Sequence, residues 1–431
     1  MDRVSAGARP LASAEIIAVG SELLGTTRID TNSLFLAGRL ASLGIDLRAK
    51  SVVGDDRATL AAVVTSALTR ADLVLLTGGL GPTDDDLTRE VVAGVLGLAL
   101  HEQSAIVLQI EERFARRGLR MPDANRRQAM VPEGGVSLDN PNGTAPGLLI
   151  DHGEQVIVLL PGPPRELQPM FDGLCAGRLL ARAGLERTFR ASLFVAGRGE
   201  SHVEEIVQPI YSGWVTGDAP IQTTILAMPG QVELHLAHRA QDPDAGARRV
   251  SAARDELAAA LGRDVFSLDG RSLEEVVGGL LTDRGLTLSA AESCTGGLLL
   301  SRLTDVPGSS RYVLGGVVAY SNELKASLAG VPESTVAAHG AVSEAVAVAL
   351  AEGIRARTGS SLAVGITGIA GPGGGTDQKP VGTVAIALAG RDMPSRARLF
   401  SFFGGRPQVK FQASQAGLDM VRRGLQFPQG G

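Results

Sequence analysis

TLSAAESCTGGLLLSRLTDV, residues 287–306, runs from a short apolar strand into a polar turn and, through two glycines, into a helix. The same rhythm continues on both sides of it. EEVVGGLLTDRG (274–285) spaces its apolar residues as an amphipathic helix and stops at Gly285. Downstream, YVLGGVVAYS (312–321) reads as a buried strand, SEAVAVALAEGIRART (343–358) as a helix and SLAVGITG (361–368) as a strand. A Gly/Pro-rich loop and a further strand, GTVAIALAG (382–390), follow. Alternating strands and helices imply a parallel sheet covered by helices, and such sheets bind ligands beyond the carboxyl ends of their strands. Residues 270–425 are therefore expected to form an α/β domain.

The amino-terminal third has the same rhythm. EIIAVG (15–20), LRAKSVV (47–53) and LVLLTGG (73–79) are strand candidates, with helical spacing after Thr31 and after Arg57. A second α/β domain is expected over 13–172, closing after LPGPPRELQPMF. Between the two, FRASLFVAG and QVELHLAHRA read as strands, and ESHVEEIVQPI and AGARRVSAARDELAAALG as helices. This predicts a small α+β module over 176–265. No internal repeat links the two α/β domains.

A chain of 431 residues exceeds what one core usually serves, in line with two or three domains. The net charge of −5 argues against nucleic acid as the main partner, because phosphate backbones demand a concentrated basic field. Small phosphorylated ligands remain open, since a few backbone amides hold them. Two cysteines exclude a disulfide framework and favour a reducing cytoplasm. No apolar run reaches the ~18 residues of a membrane span. The opening MDRVSAGARPLA lacks a signal-peptide core and reads as a loose tail.

Three segments of the C-terminal domain place polar residues at strand ends. AESCTGG (291–297) delivers Glu292, Ser293, Cys294 and Thr295 into a turn whose Gly296 and Gly297 open the next helix. Free N–H groups there suit a phosphate or a developing oxyanion; a Ser-rich helix cap would look similar. GGVVAYSNELK (315–325) carries Tyr320, Ser321, Asn322 and Lys325. A lone lysine is usually a solvated charge. The only histidine of this domain, His339, sits in an ordinary-looking loop, however, and a partly desolvated lysine can deprotonate a serine. Tyr320 is placed to relay the proton or orient the amine. GITGIAGPGGGTDQKPVGTV (365–384) adds Gly368, Ala370 and Gly371, where the backbone can approach a ligand.

In the N-terminal domain the dense segments are GSELLGTTRIDTNS (20–33) and TGGLGPTDDDLT (77–88). Gly78, Gly79 and Gly81 form a bare backbone cradle suited to phosphate. Asp84, Asp85 and Asp86 crowd three carboxylates at a helix start, as either a solvated acidic N-terminus or a site for a hard divalent cation. NPNGTAPG (140–147) offers Asn142 and Thr144, or is simply a turn.

AESCTGG, GGVVAYSNELK and GITGIAGPGGGTDQKPVGTV closely resemble the signature stretches of the CinA family's C-terminal domain. That resemblance implies a nicotinamide mononucleotide amidohydrolase, yielding nicotinate mononucleotide and ammonia without a metal. It matches Ser293 to the nucleophile, Lys325 to the base and Tyr320 to the neighbouring polar position; Thr295 shares the turn as an alternative attacking hydroxyl. Gly296, Gly297, Asn322, Gly368, Ala370 and Gly371 would bind substrate. Residues 13–172 resemble the N-terminal domain of full-length CinA proteins, which is similar to molybdopterin-binding domains. This implies an ADP-ribose pyrophosphatase dependent on a divalent metal ion (Mg, Mn or Co), yielding AMP and ribose 5-phosphate. Glu22, Asp30, Asp84 and Asp85 would hold the metal, and Asn32, Thr83, Asn142, Thr144 and the three glycines the ligand. The middle module resembles the KH-like domain of the same proteins, but it lacks an obvious GXXG clamp, so RNA binding is not expected. The resemblance also suggests a homodimer. Two other readings are a nucleotide- or pterin-sensing binding protein and a molybdopterin-handling enzyme.

Overall fold

The computed structural model describes residues 9–217, 219–391 and 393–427. The first eight residues, most of the tail expected to be loose, lie outside the described residues. Two compact units divide the chain. The first runs through Phe189 and adds Arg239–Gly246; the second holds Arg190–His238 and everything from Ala247.

The first unit is built on strands β1 (Ser13–Val19), β2 (Asp46–Val53) and β3 (Leu73–Thr77), the three strands expected from the sequence. Short strands β4 (Leu100–Glu102) and β5 (Met130–Pro132) pair apart from the main sheet. Strands β6 (Val136–Leu138), β7 (Gly147–His152) and β8 (Gln155–Leu160) complete a sheet of order β2-β1-β3-β8-β7-β6. Its central strands are parallel, and β7 is antiparallel to β8. β1 and β3 are buried along their whole length because alternate residues feed two different cores. Ile17, Val19, Val74 and Leu76 meet α2 (Arg57–Leu68), α3 (Thr88–Leu96) and α4 (Ser104–Ala115). Ile16, Leu73 and Leu75 meet α1 (Asn32–Ser42) and α5 (Pro164–Ala176), beyond which lies the short α6 (Arg178–Arg182).

In the second unit, β9 (Arg187–Ala196), α7 (Glu200–Tyr211), β10 (Ile221–Met228), β11 (Gln231–Ala240), α8 (Pro243–Leu261) and β12 (Val265–Ser267) form the expected α+β module. Its sheet runs β10-β11-β9-β12. Val232, Leu234 and Leu236 alternate inward onto a core with Val203, Val207 and Leu257. The module is not a separate unit. Arg423 of the last helix donates to Asp264 and to the Ala196 carbonyl, and Phe266 joins the C-terminal core.

The remaining elements are α9 (Leu273–Asp283), β13 (Leu288–Glu292), α10 (Leu298–Thr304), β14 (Val313–Val318), α11 (Asn322–Ala329), α12 (Glu333–His339) and α13 (Glu344–Thr358). β15 (Leu362–Gly368), β16 (Thr383–Gly390), β17 (Arg396–Ser401) and α14 (Arg406–Gln426) close the chain. The sheet runs β14-β13-β15-β16-β17 and is mixed: β16 runs antiparallel to both its neighbours, β15 and β17. β16 shows why the helices sit where they do. Val384, Ile386 and Leu388 face α9, α10 and α14, whereas Ala385, Ala387 and Ala389 let α13 ride close to the sheet. β14, read from sequence as buried, is an edge strand with Leu314 and Val318 exposed. Its apolar residues made it look interior. No described helix is long and apolar enough to cross a membrane.

Candidate functional site

Ser293 follows the last residue of β13, and its N–H donates to the Ile366 carbonyl of β15 at 2.9 Å. That backbone bond fixes the turn at the carboxyl end of the parallel strands, with Ser293 and Thr295 both buried. Thr295 Oγ1 has no hydrogen-bond partner. Lys325, on α11, is only 3 % exposed, which answers the question the sequence left open. Its Nζ donates to the Tyr320 carbonyl oxygen at 3.2 Å. Burial pushes this amine below the ordinary lysine range, while Cys294 and Glu323 pull the other way. Burial likewise pushes the Cys294 thiol up to about 12, and Lys325 is one of the charges it feels. The Ala319 N–H donates to the Glu292 carbonyl at 2.8 Å, so the Tyr320 carbonyl that holds the amine follows directly on the strand pairing that leads into the Ser293 turn. A bond from Nζ to Ser293 Oγ is not formed in this conformation; contacts of this kind commonly tighten in the Michaelis complex.

Several expectations change here. The N–H groups at the start of α10 do not await an anion. The buried Glu292 carboxylate accepts from Gly297, Leu299 and Leu300 at 3.0–3.1 Å, and the Gly296 N–H goes to the Ser293 carbonyl. Gly296 and Gly297 are needed for their left-handed backbone, at φ 64° and 92°. Tyr320 is more than half exposed; its hydroxyl accepts from Arg406 at 2.8 Å, so its carbonyl, not its hydroxyl, orients the lysine. Asn322 is exposed on the first turn of α11. In the Gly-rich loop, a Cβ at Gly368 would meet Val384 and one at Gly371 would meet Val381, so these glycines serve packing, and Ala370 is buried.

Sequence reasoning missed the first turns of α14. Arg406 donates to the Gly371 carbonyl at 2.7 Å as well as to Tyr320, and Lys410 Nζ lies 3.6 Å from where a Gly296 Cβ would stand. Lys410 thus reaches the turn that carries Ser293, and Arg406 the Gly371 loop and Tyr320. Only the pairing of the helix with the sheet places them there, more than 110 residues from the serine.

In the first unit a cleft of about 880 Å³ gathers Glu22, Asp30, Asn32, Gly78, Gly79, Gly81, Asp85, Asn142 and Thr144 at the carboxyl ends of β1 and β3. The cradle is structurally obligatory: at φ 95° and 65°, a Cβ on Gly78 or Gly79 would come within 2.2 Å of the Val19 carbonyl or Thr88 Oγ1. The Gly78 N–H is spent on the Leu160 carbonyl, however. Asn32 is buried; its Nδ2 donates to the Gly162 carbonyl at 2.7 Å and its Oδ1 is unpartnered. Asn142 is tied through Nδ2 to the Arg165 carbonyl.

The proposed metal ligands do not converge. Asp84 is exposed and pairs with Arg127 at 3.0 Å, and neither it nor Thr83 lines the cleft. Thr83 donates through N and Oγ1 to Asp86, and Asp30 accepts from the Ser33 N–H in the first turn of α1. Among the described residues no group of three or more His, Cys, Asp or Glu is placed to hold a metal ion. Asp84 and Asp30, two of the carboxylates read as a cation site, thus have protein partners of their own. Arg28, Arg113, Arg117 and Arg165, which the sequence reading did not weigh, line the same cleft.

Two family models match the chain. Residues 270–425 match the CinA C-terminal domain, and residues 15–181 match a probable molybdopterin binding domain. A CinA-like protein of Koribacter versatilis is 50 % identical over 426 residues, covering 96 % of this chain and 99 % of the relative. A putative competence-damage inducible protein of Symbiobacterium thermophilum is 47 % identical over 424 residues, covering 96 % and 98 %. A crystal structure of a competence/damage inducible protein from Agrobacterium tumefaciens, 38 % identical, covers 36 % of this chain and 97 % of its own, with a TM-score of 0.34. With half its residues shared along nearly the whole length of a relative, the chain belongs to the CinA family.

Proposed function

We propose that the C-terminal domain hydrolyses the carboxamide of nicotinamide mononucleotide to nicotinate mononucleotide and ammonia, with Ser293 as nucleophile and Lys325 as its base. The observation that carries this reading is a buried amine, depressed in proton affinity, held by the Tyr320 carbonyl next to the strand pairing that leads into Ser293. The neutral amine takes the Ser293 proton as Oγ attacks the carboxamide carbon, then returns it to the departing nitrogen as ammonia leaves. Water hydrolyses the resulting ester, returning the serine. Arg406 and Lys410 supply positive charge for the substrate phosphate. Ammonia release from nicotinamide mononucleotide tests the reading: Ser293→Ala and Lys325→Ala must each abolish it in folded protein, and full activity in both removes the assignment. Thr295→Val, which keeps Ser293, tests the alternative hydroxyl.

For the N-terminal domain we propose a site for ADP-ribose, with the glycine cradle and the cleft arginines taking its pyrophosphate. The side-chain donors are not gathered for a cation, so no step is drawn through a metal. Binding without turnover is a second reading, favoured by the protein partners that Asp84 and Asp30 already have. Pure protein incubated with ADP-ribose and Mg, Mn or Co separates the two: AMP formation supports a pyrophosphatase, and tight binding without AMP supports a sensor. Binding of molybdopterin instead would favour the third reading. A homodimer in a reducing cytoplasm completes the proposal; sedimentation tests the dimer, and both cysteines are free thiols.

A further inference from the structure

A second cleft, of about 720 Å³, opens in the second unit between β17, α14 and the loop that leads into α7. None of Ser293, Lys325, Tyr320 or Arg406 lines it. Its volume falls within the range of small-molecule sites, roughly 300–1,000 Å³.

One wall is an aromatic ladder on the edge strand. The Phe400 and Phe402 rings lie parallel, 5.3 Å apart and inclined by 10°, and the Arg398 guanidinium sits 4.9 Å from the Phe400 centroid. Three planar groups in succession form a platform for another planar group, because faces and edges of π-systems attract when offset. Met228 and Met420 also line the cleft and supply soft, adaptable surface.

The charges at the floor cancel in pairs. Asp264 accepts from both Arg198 and Arg423, and Asp419 accepts from Arg423 at 2.6 Å. These arginines are committed, so the floor offers no strong field for a phosphate. The glutamine amides are committed as well: Gln231 donates to Glu233 at 2.7 Å, and Gln415 is buried. Gln231 and Gln415 join at 2.8 Å, and Gln415 also accepts from Arg302 of α10. We propose that this cleft binds a small planar aromatic ring, stacked on the Phe400–Phe402 wall. The site goes beyond the amidase reading and does not rest on it. Its wall helix α14 also carries Arg406 and Lys410, so an occupant would stiffen the helix that serves the serine site.

The test is equilibrium binding of free adenine and of nicotinamide to the full chain, with cyclohexanecarboxamide as a saturated control. At least one aromatic probe should bind saturably and about tenfold or more tighter than the control, and should slow amide exchange in α14. Phe402→Ala should weaken that probe about tenfold or more. Met228→Glu, at a half-exposed strand position where folding is not at risk, should do the same. Ser293→Ala should leave binding unchanged. The proposal fails if neither aromatic probe outbinds the control, or if binding survives both cleft substitutions.

Discussion

The two candidate sites handle charge in opposite ways. At the C-terminal site a lone amine is buried against a backbone carbonyl, and the cost of desolvating it lowers its proton affinity. At the N-terminal cleft, carboxylates and arginines stand near the surface, and Asp86 and Asp30 already have protein partners in Thr83 and Ser33, as Asp84, outside the cleft, has in Arg127. Burial without a paired carboxylate builds a base, whereas exposed and mutually satisfied charges build a surface that recognises a polar ligand. A short polar motif at a strand end looks alike in both cases; only its surroundings differ.

The sharpest way to break this contrast is at Lys325. Lys325→Ala should lower ammonia release by about 10²–10⁴-fold, and Lys325→Arg should not restore it, because a guanidinium does not give up its proton. The pH profile sharpens the point. Burial penalises the charged amine, so its proton leaves below the ordinary lysine value; the active, neutral fraction grows as pH rises through that lowered value. The kcat/KM limb should therefore rise with pH and level off below about 10.4, and a flat profile in wild type would remove the lysine from the mechanism.

In the N-terminal cleft, Asn32→Ala should weaken ADP-ribose binding about tenfold, since it deletes an unpartnered acceptor from a residue that lines the cleft. Calorimetric titration measures it. Glu292→Gln should cost about 1–3 kcal/mol in urea unfolding, because it removes the charge that accepts three N–H groups and turns a donor toward them. The smallest effect is expected at Asp84→Asn: an exposed ion pair contributes about 0–1 kcal/mol, and ADP-ribose affinity should stay within about twofold. A large loss of affinity there would restore Asp84 to the site and erase the contrast drawn above.

The sequence was sufficient for a good part of this. The rhythm of strands and helices was legible around residues 287–306 and 73–79, because interior strands need continuous apolar runs. Ser293 and Lys325 were legible as candidates, and so were Gly78 and Gly79, whose backbone no other residue adopts without strain. Long-range placement was not legible. β14 carries apolar residues yet lies at an edge, and Asp84 sits among carboxylates yet turns to Arg127.

From the sequence alone came the local periods, the turns and the identity of the reactive groups, since these depend on neighbours along the chain. Tertiary structure decided which groups meet. It brought Lys410 of α14 to a turn formed more than a hundred residues earlier, spent three N–H groups at the start of α10 on Glu292, and took water away from Lys325. Proton affinity and hydrogen-bond availability are set by what surrounds a group in space, and residue spacing carries little record of that.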